Sequence, residues 1–209
     1  MALYLTEDDV RQVLDMPLAI AAVEDAHRAL SEGRAQDLPR QRTRTPKLAL
    51  HLLQASYTDQ AGASVTGFKA YTSSRSGNRF LVHLFDAATG RLRAVIEADY
   101  LGMIRTGAAS GVAARWLARP DASVAGVFGS GWQAEGHVRA ICAALPLERV
   151  KVFGRKADKL QDFCRRMSET TGVTIEPAES AEETVRGSDV IGTVTTAAQP
   201  LFDASWLEP

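Results

Sequence analysis

The residues best equipped for chemistry begin at Gly129-Ser130-Gly131-Trp132-Gln133-Ala134. An apolar, β-favouring run, Val124 to Phe128, stops at this Gly-x-Gly-x-x-Ala turn. A helical pattern then starts at once through Glu135, Val138, Ile141, Cys142 and Leu145. In that strand–turn–helix context the pyrophosphate of a dinucleotide can sit on the free N–H groups of a helix N-terminus, where the dipole favours anions. Gly129 permits the tight turn, Gly131 lets the backbone approach the phosphates, and Ala134 allows close helix–strand packing. Ser130, Trp132 and Gln133 complete the candidate cofactor loop. The competing reading is a glycine-rich turn in an α/β protein that binds no nucleotide.

The next strand of that unit, Val150 to Phe153, ends in Gly154-Arg155-Lys156. Domains that prefer NAD place an acid there, bonded to the ribose 2′-hydroxyl. This chain has none. Gly154 leaves room, and Arg155 and Lys156 can pair with a 2′-phosphate, so NADPH is expected, with NAD as the alternative. A basic helix start is otherwise unfavourable to the dipole, and a bound anion would relieve that conflict. Thr193, Thr195 and Thr196 end a buried strand at the cofactor edge, where hydroxyls can bond ribose or nicotinamide. Ordinary β-branched strand residues would look the same.

Upstream, Arg40, Arg42 and Arg44 alternate with Gln41, Thr43 and Thr45 and so share one face of an extended strand. A guanidinium offers two parallel N–H donors to a carboxylate. A basic strand edge that resists aggregation would carry the same pattern. Lys69 follows Gly67-Phe68 inside an otherwise apolar strand. Facing inward it must find a partner or lose its charge; facing outward it is a solvated lysine, and the pattern does not separate the two. His27 reads as a packing residue, and His83 and His137 lack a Ser/Cys/Asp constellation or metal-ligand spacing. No metal site is expected.

Two kinds of element must position these groups. Thr6-Glu7-Asp8-Asp9 reads as a capped helix start, Pro17 opens a second helix through Ile20, Val23, Ala26 and Leu30, and Gly33 ends it. From about residue 39 the period shortens. Residues 48–54, 63–71, 80–86 and 92–97 read as strands, 72–79 as a polar loop, and 86–90 as a hairpin connection. A helix over 99–117 follows, rich in small residues (Gly102, Gly107, Ala108, Ala109, Gly111) that allow close packing on another backbone. Strands then alternate with helices to the end of the chain, the pattern of a parallel, doubly wound sheet. The expected fold is therefore α/β, with a helix plus mostly antiparallel sheet domain over 1–118 and a Rossmann-type parallel sheet domain over 119–209. The latter reaches only a fourth parallel strand where such sheets have about six, and so looks incomplete at its C-terminus.

With 209 residues, 45% hydrophobic, 23% charged and a formal net charge of -1, the composition is that of an ordinary soluble globular protein. It gives no reason to expect nucleic acid or a membrane as partner. No signal-peptide pattern opens the chain, and Cys142 and Cys164 each sit in a helical pattern as small core residues. A reducing cytoplasm is the expected location.

Several segments together resemble the ornithine cyclodeaminase and μ-crystallin family, which includes ketimine and pyrroline-carboxylate reductases. They are Pro39-Arg-Gln-Arg-Thr43, Gly67-Phe-Lys69, Arg105-Thr-Gly-Ala-Ala-Ser110, Gly129-Ser-Gly-Trp-Gln-Ala134 and Asp189-Val-Ile-Gly-Thr-Val-Thr-Thr196. Their order and spacing fit along essentially the whole chain. The resemblance implies that Lys69 is the catalytic lysine, that Arg42 and Arg105 bind the substrate carboxylate, and that Thr106 lies near the cofactor phosphates. It implies an amino-acid or imino-acid substrate and a homodimer paired through the first domains. Members are longer, and the part they carry beyond the region like Trp206-Leu207-Glu208-Pro209 includes an aspartate used in proton transfer. The chain is therefore expected to be the N-terminal part of a member. The implied activity is NADPH-dependent imine reduction, with NAD-dependent cyclisation of ornithine to proline and ammonia, or a non-catalytic remnant, as alternatives.

Overall fold

The computed structural model describes residues 1–75 and 77–208. The chain divides into two compact units, Met1–Gly102 and Met103–Pro209. The boundary cuts the small-residue helix near its start, whereas the sequence reading keeps that whole helix with the first domain.

The first unit runs β1 (Leu3–Leu5), α1 (Glu7–Val13), α2 (Met16–Ser31), β2 (Ala35–Asp37), β3 (Gln41–Arg44), β4 (Leu48–Thr58), β5 (Ser64–Ser74), β6 (Gly77–Asp86) and β7 (Leu92–Glu97). It closes with the first turn of α3 (Asp99–Leu117). Local chemistry sets the helices. The Thr6 side chain accepts from the Asp9 N–H while Asp9 accepts from the Thr6 N–H, a reciprocal cap on α1. Asp15 caps α2 with Pro17 in its first turn. The start of α3 is capped from outside itself: the Glu7 carboxylate accepts the Asp99 and Tyr100 N–H groups at 2.6 and 3.0 Å.

The sheet has the order β1-β7-β6-β5-β4-β2, with β3 also on β4. All pairs are antiparallel except β1 on β7. Strands β1 and β2 were not foreseen. Each has only three residues, too short for alternation to declare itself. The stretch 72–79 is a correction as well. Pairing of β5 with β6 continues through Thr72↔Arg79, Ser73↔Asn78 and Ser74↔Gly77, so strands occupy most of the expected loop. Polar Thr and Ser are good strand residues where one face meets water. Ser76 lies outside the described residues.

The register builds the feature that matters for function. Arg42 lies opposite His51, His51 opposite Tyr71, and Tyr71 opposite Phe80, one row across β3, β4, β5 and β6. By alternation Lys69 shares that face. Tyr57 at the other end of β4 also points to it and donates a short hydrogen bond to Asp25 of α2, which packs there. The opposite face carries Leu48, Leu50, Phe68 and Phe85. Leu48 and Leu50 are 37% and 43% exposed.

The second unit contains the rest of α3, then β8 (Val124–Phe128), α4 (Trp132–Ala144), β9 (Arg149–Phe153), α5 (Ala157–Thr171), β10 (Thr174–Pro177), α6 (Ala181–Val185), β11 (Val190–Thr193) and a 3-10 turn at Ala204–Trp206. Its sheet is wholly parallel in the order β10-β9-β8-β11, the Rossmann-like arrangement expected. The core joins Ala125, Val127, Val150 and Val152 of the strands to Val138, Ile141, Leu160 and Phe163 of α4 and α5. Such continuous apolar strands are what a sheet covered on both faces requires. The Cys142 and Cys164 thiols are free, and burial pushes each up to about 11, so both stay protonated near neutrality.

Candidate functional site

Each unit presents one group of the residues singled out from sequence. In the first, Arg42 Nε donates to His51 Nδ1 at 3.2 Å, and His51 Nε2 lies 2.9 Å from Ser73 Oγ. The His51 ring stacks on Tyr71 with centroids 4.2 Å apart and planes 1° apart, and Tyr71 in turn stacks on Phe80 at 4.7 Å. Lys69 is half-buried, with Nζ 5.7 Å from the Tyr71 centroid and 5.8 Å from that of Phe80. The side of the strand left open by pattern is thereby decided: Lys69 shares the Arg42 face and lies over aromatic rings, a favourable place for a cation. Arg40 precedes β3 and reaches the same ring, its Cζ 5.9 Å from the Tyr71 centroid.

This face is electropositive. Burial first, then Arg42, Arg40 and Arg44 in turn, hold the His51 imidazole below its ordinary value. Among the described residues no acidic side chain forms an ion pair with those three arginines. The sequence reading missed His51, Tyr71 and Ser73. The available signal was a histidine on the arginine-facing parity of the apolar run Leu48 to Leu53. Using it required the register of β3 on β4, which Thr45 sets by accepting the Lys47 and Leu48 N–H groups in the turn.

In the second unit, α4 begins immediately after the glycine turn. Its N-cap is Gly131, and no side chain caps it. A Cβ on Gly131 would meet nothing within 4 Å, so there is open space beside the turn where α4 begins. Gly129 differs. It has φ +115°, and a Cβ there would lie 2.3 Å from the Val194 carbonyl oxygen, so only glycine satisfies both the turn and the approach of the segment after β11. Ala134 is fully buried, as close strand–helix packing needs. Trp132 is 44% exposed at the start of α4. An uncapped N-terminus of a thirteen-residue helix beside a glycine turn fits a pyrophosphate.

Arg155 and Lys156 are exposed after β9, and Lys156 is the N-cap of α5, again with no side-chain cap. Thr193 and Thr195 line a cleft of about 260 Å³ with Gln199 and Phe202. Phe202 stacks on Phe128 at 5.4 Å, which folds this wall back against the end of β8. Arg105 is exposed and Thr106 half-buried on α3, both within the second unit. His137 lies 2.8 Å from Ser110 Oγ, a link between α4 and α3 that gives it a structural place. Among the described residues no group of three His, Cys, Asp or Glu side chains could hold a metal, and no helix is long and apolar enough to cross a membrane.

The sequence profile of the ornithine cyclodeaminase/mu-crystallin family matches residues 2–209. A Delta(1)-pyrroline-2-carboxylate reductase of Bacillus cereus is 38% identical over 122 residues, 58% of this chain and 38% of the relative. The structure of Thermococcus litoralis Delta(1)-pyrroline-2-carboxylate reductase, in complex with NADH and L-proline, superposes with a TM-score of 0.87 at 28% identity over 98% of this chain. An archaeal alanine dehydrogenase dimer with bound NAD superposes with a TM-score of 0.90 at 30% identity over 99% of it. This chain spans 65% and 64% of those two proteins.

Proposed function

The chain belongs to the ornithine cyclodeaminase/mu-crystallin family, and from that premise we propose that it serves NADPH-dependent reduction of a small carboxylate-bearing imine to an amino acid. The substrate would be of the pyrroline-carboxylate, piperideine-carboxylate or ketimine type. The observation that carries this reading is the gathering of Arg42 and Lys69 on one sheet face around His51 and Tyr71. Arg42 binds the carboxylate through paired N–H donors. Lys69 sets an ammonium beside the imine, where it polarises the C=N bond and favours the negative charge that hydride addition at carbon develops on nitrogen. Arg105 is the third cation proposed for the carboxylate.

The nucleotide is held by the N–H groups of α4 and the Gly129–Ala134 turn, with Thr106, Thr193 and Thr195 as further partners and Arg155 and Lys156 on the 2′-phosphate. When bound, the reduced nicotinamide supplies the hydride. The complexes of these relatives with NADH and L-proline, and with NAD, support a nicotinamide cofactor and an amino-acid product by kinship. We also propose a homodimer formed through the half-exposed Leu48, Leu50, Phe68 and Phe85 face, supported by the dimer of the alanine dehydrogenase relative. Light scattering that finds a monomer at micromolar concentration would remove that part.

The deciding experiment is reduction of pyrroline-2-carboxylate and piperideine-2-carboxylate by the full-length protein with NADPH and NADH. Amino-acid formation that is faster with NADPH is expected. Inactivity on every imine, with proline and ammonia released from ornithine instead, would replace this reading by a cyclodeaminase. Failure to bind either cofactor would leave a non-catalytic protein.

A further inference from the structure

Arginine has no acceptor, so the bond from Arg42 Nε to His51 Nδ1 requires a bare lone pair on Nδ1. The ring proton must then sit on Nε2, where it is donated to Ser73 Oγ. His51 is 8% exposed and clamped by its stack on Tyr71. A buried ring with both nitrogens assigned and one face stacked has no freedom to turn. The cation it holds sits on β3, whose residues are exposed throughout. A long side chain on such a strand samples many rotamers unless something fixes it.

We infer that His51, as its neutral Nε2–H tautomer, is a positioning residue that fixes the Arg42 guanidinium to grip a carboxylate end-on. The Nε–H is consumed by His51. The two Nη groups remain as the fork, which excludes the side-on grip that uses Nε. The inference rests on the assignment of Arg42 to the carboxylate.

It carries a pH signature. A second proton on His51 must go to Nδ1, which breaks the Arg42 bond and turns an acceptor into a cation. The charged and titratable groups that face His51 are Arg40, Arg42 and Arg44 from the β3 side, and Lys69 and the Tyr71 phenol from β5. No carboxylate stands among these described groups, and none of them offsets the new charge. As pH falls, the guanidinium is released and substrate affinity drops, while the second unit and its cofactor are untouched.

The test uses the full-length protein with pyrroline-2-carboxylate. His51→Leu is expected to raise KM about tenfold, with kcat changed by less than about threefold and NADPH affinity unchanged, the loss of one charge-assisted hydrogen bond. In the wild type KM rises below neutral pH. His51→Asn places an amide oxygen near the Nδ1 position and does not titrate, so it recovers most of the affinity lost in His51→Leu and flattens the pH profile. An unchanged KM in His51→Leu, or an acid limb that persists in His51→Asn, overturns the inference. Arg42→Ala separates the two layers. If it leaves KM unchanged, the carboxylate assignment and this inference fall together. If it raises KM while both His51 variants do not, only the positioning role falls. Long-range 15N–1H correlation of the His51 ring is independent of turnover: the Nε2–H tautomer at pH 7 supports the inference, and Nδ1–H or imidazolium refutes it even if no imine is reduced.

Discussion

A Cβ placed on Gly107 of α3 would lie 2.2 Å from the carbonyl oxygen of Gly136 in α4. The two helices cross backbone to backbone at that point. Ser110 of α3 and His137 of α4 bond at 2.8 Å one turn away. Gly107→Ala cannot be absorbed by rotating a side chain, because the obstacle is main chain on both sides. It should destabilise the second unit by roughly 2 kcal/mol or more through forced separation of α3 and α4. Chemical denaturation checks this. Gly102→Ala, whose Cβ meets nothing within 4 Å, is the matched control and should be neutral or stabilising.

That crossing was legible in the sequence as a stripe of small residues in α3, although the stripe could not name Gly136 as its partner. The parallel unit was legible almost throughout, since continuous apolar strands, a glycine turn and helical periodicity all agree there. The first unit was less so. Three-residue strands carry too little pattern, and the hairpin through Ser74 and Gly77 is written in polar residues that read as loop. The candidate site was half legible. Arg42 and Lys69 stood out because a cation in a strand is conspicuous. His51 did not, because its meaning comes from lying opposite Arg42, and cross-strand register follows from the Thr45 turn rather than from either strand.

Cofactor choice should be decided by the three residues after β9. Gly154-Arg155-Lys156 offers no carboxylate to a ribose diol and two exposed cations to a 2′-phosphate. The expectation is NADPH bound at least about tenfold more tightly than NADH, the worth of one charge-assisted contact. Quenching of Trp132 fluorescence is the readout, since this side chain begins α4. Arg155→Ala should weaken NADPH and leave NADH unaffected. A variant that weakens both equally would place Arg155 elsewhere in the cofactor site. Gly129→Ala should abolish binding of both, because it distorts the turn itself.

Stability should fall on mild acidification. Burial holds both His51 and His137 below the ordinary histidine value of 6.5, His51 with help from its arginines. Between the folded and unfolded values the unfolded chain therefore binds more protons, so stability rises with pH across that interval. The contribution is complete above the unfolded value and is lost as pH falls through the folded ones. Asp99 works in the opposite direction, raised by burial and by Glu7, but starts from the ordinary carboxylate range. Urea midpoints measured from pH 8 to pH 5.5 should decrease, and the slope should shrink in His137→Gln. A flat profile would mean that neither imidazole is held neutral by the fold.

Lys151 provides the sharpest test of the parallel unit's polar interior. It stands in the middle of β9, 6% exposed, where an aliphatic residue would be expected. Its Nζ donates to the carbonyl oxygens of Glu183 and Arg186 at 2.6 and 2.5 Å, so it satisfies acceptors that the end of α6 leaves open. Burial first, then Arg149, lowers its pKa from the ordinary lysine range. The sign follows: the unfolded chain holds this proton to higher pH than the folded one, so stability from this group rises with pH below the unfolded value. The neutral amine still has two N–H donors, enough for both carbonyls. Lys151→Met keeps the stem and removes the donors, and the two part-buried carbonyls lose this partner. A loss of about 1–3 kcal/mol is expected, against no measurable effect of Lys159→Met on the exposed side of α5. Thermal unfolding of the two variants side by side, at pH 7 and pH 9, decides it: an undiminished Tm in Lys151→Met would show that the carbonyls of α6 find other partners.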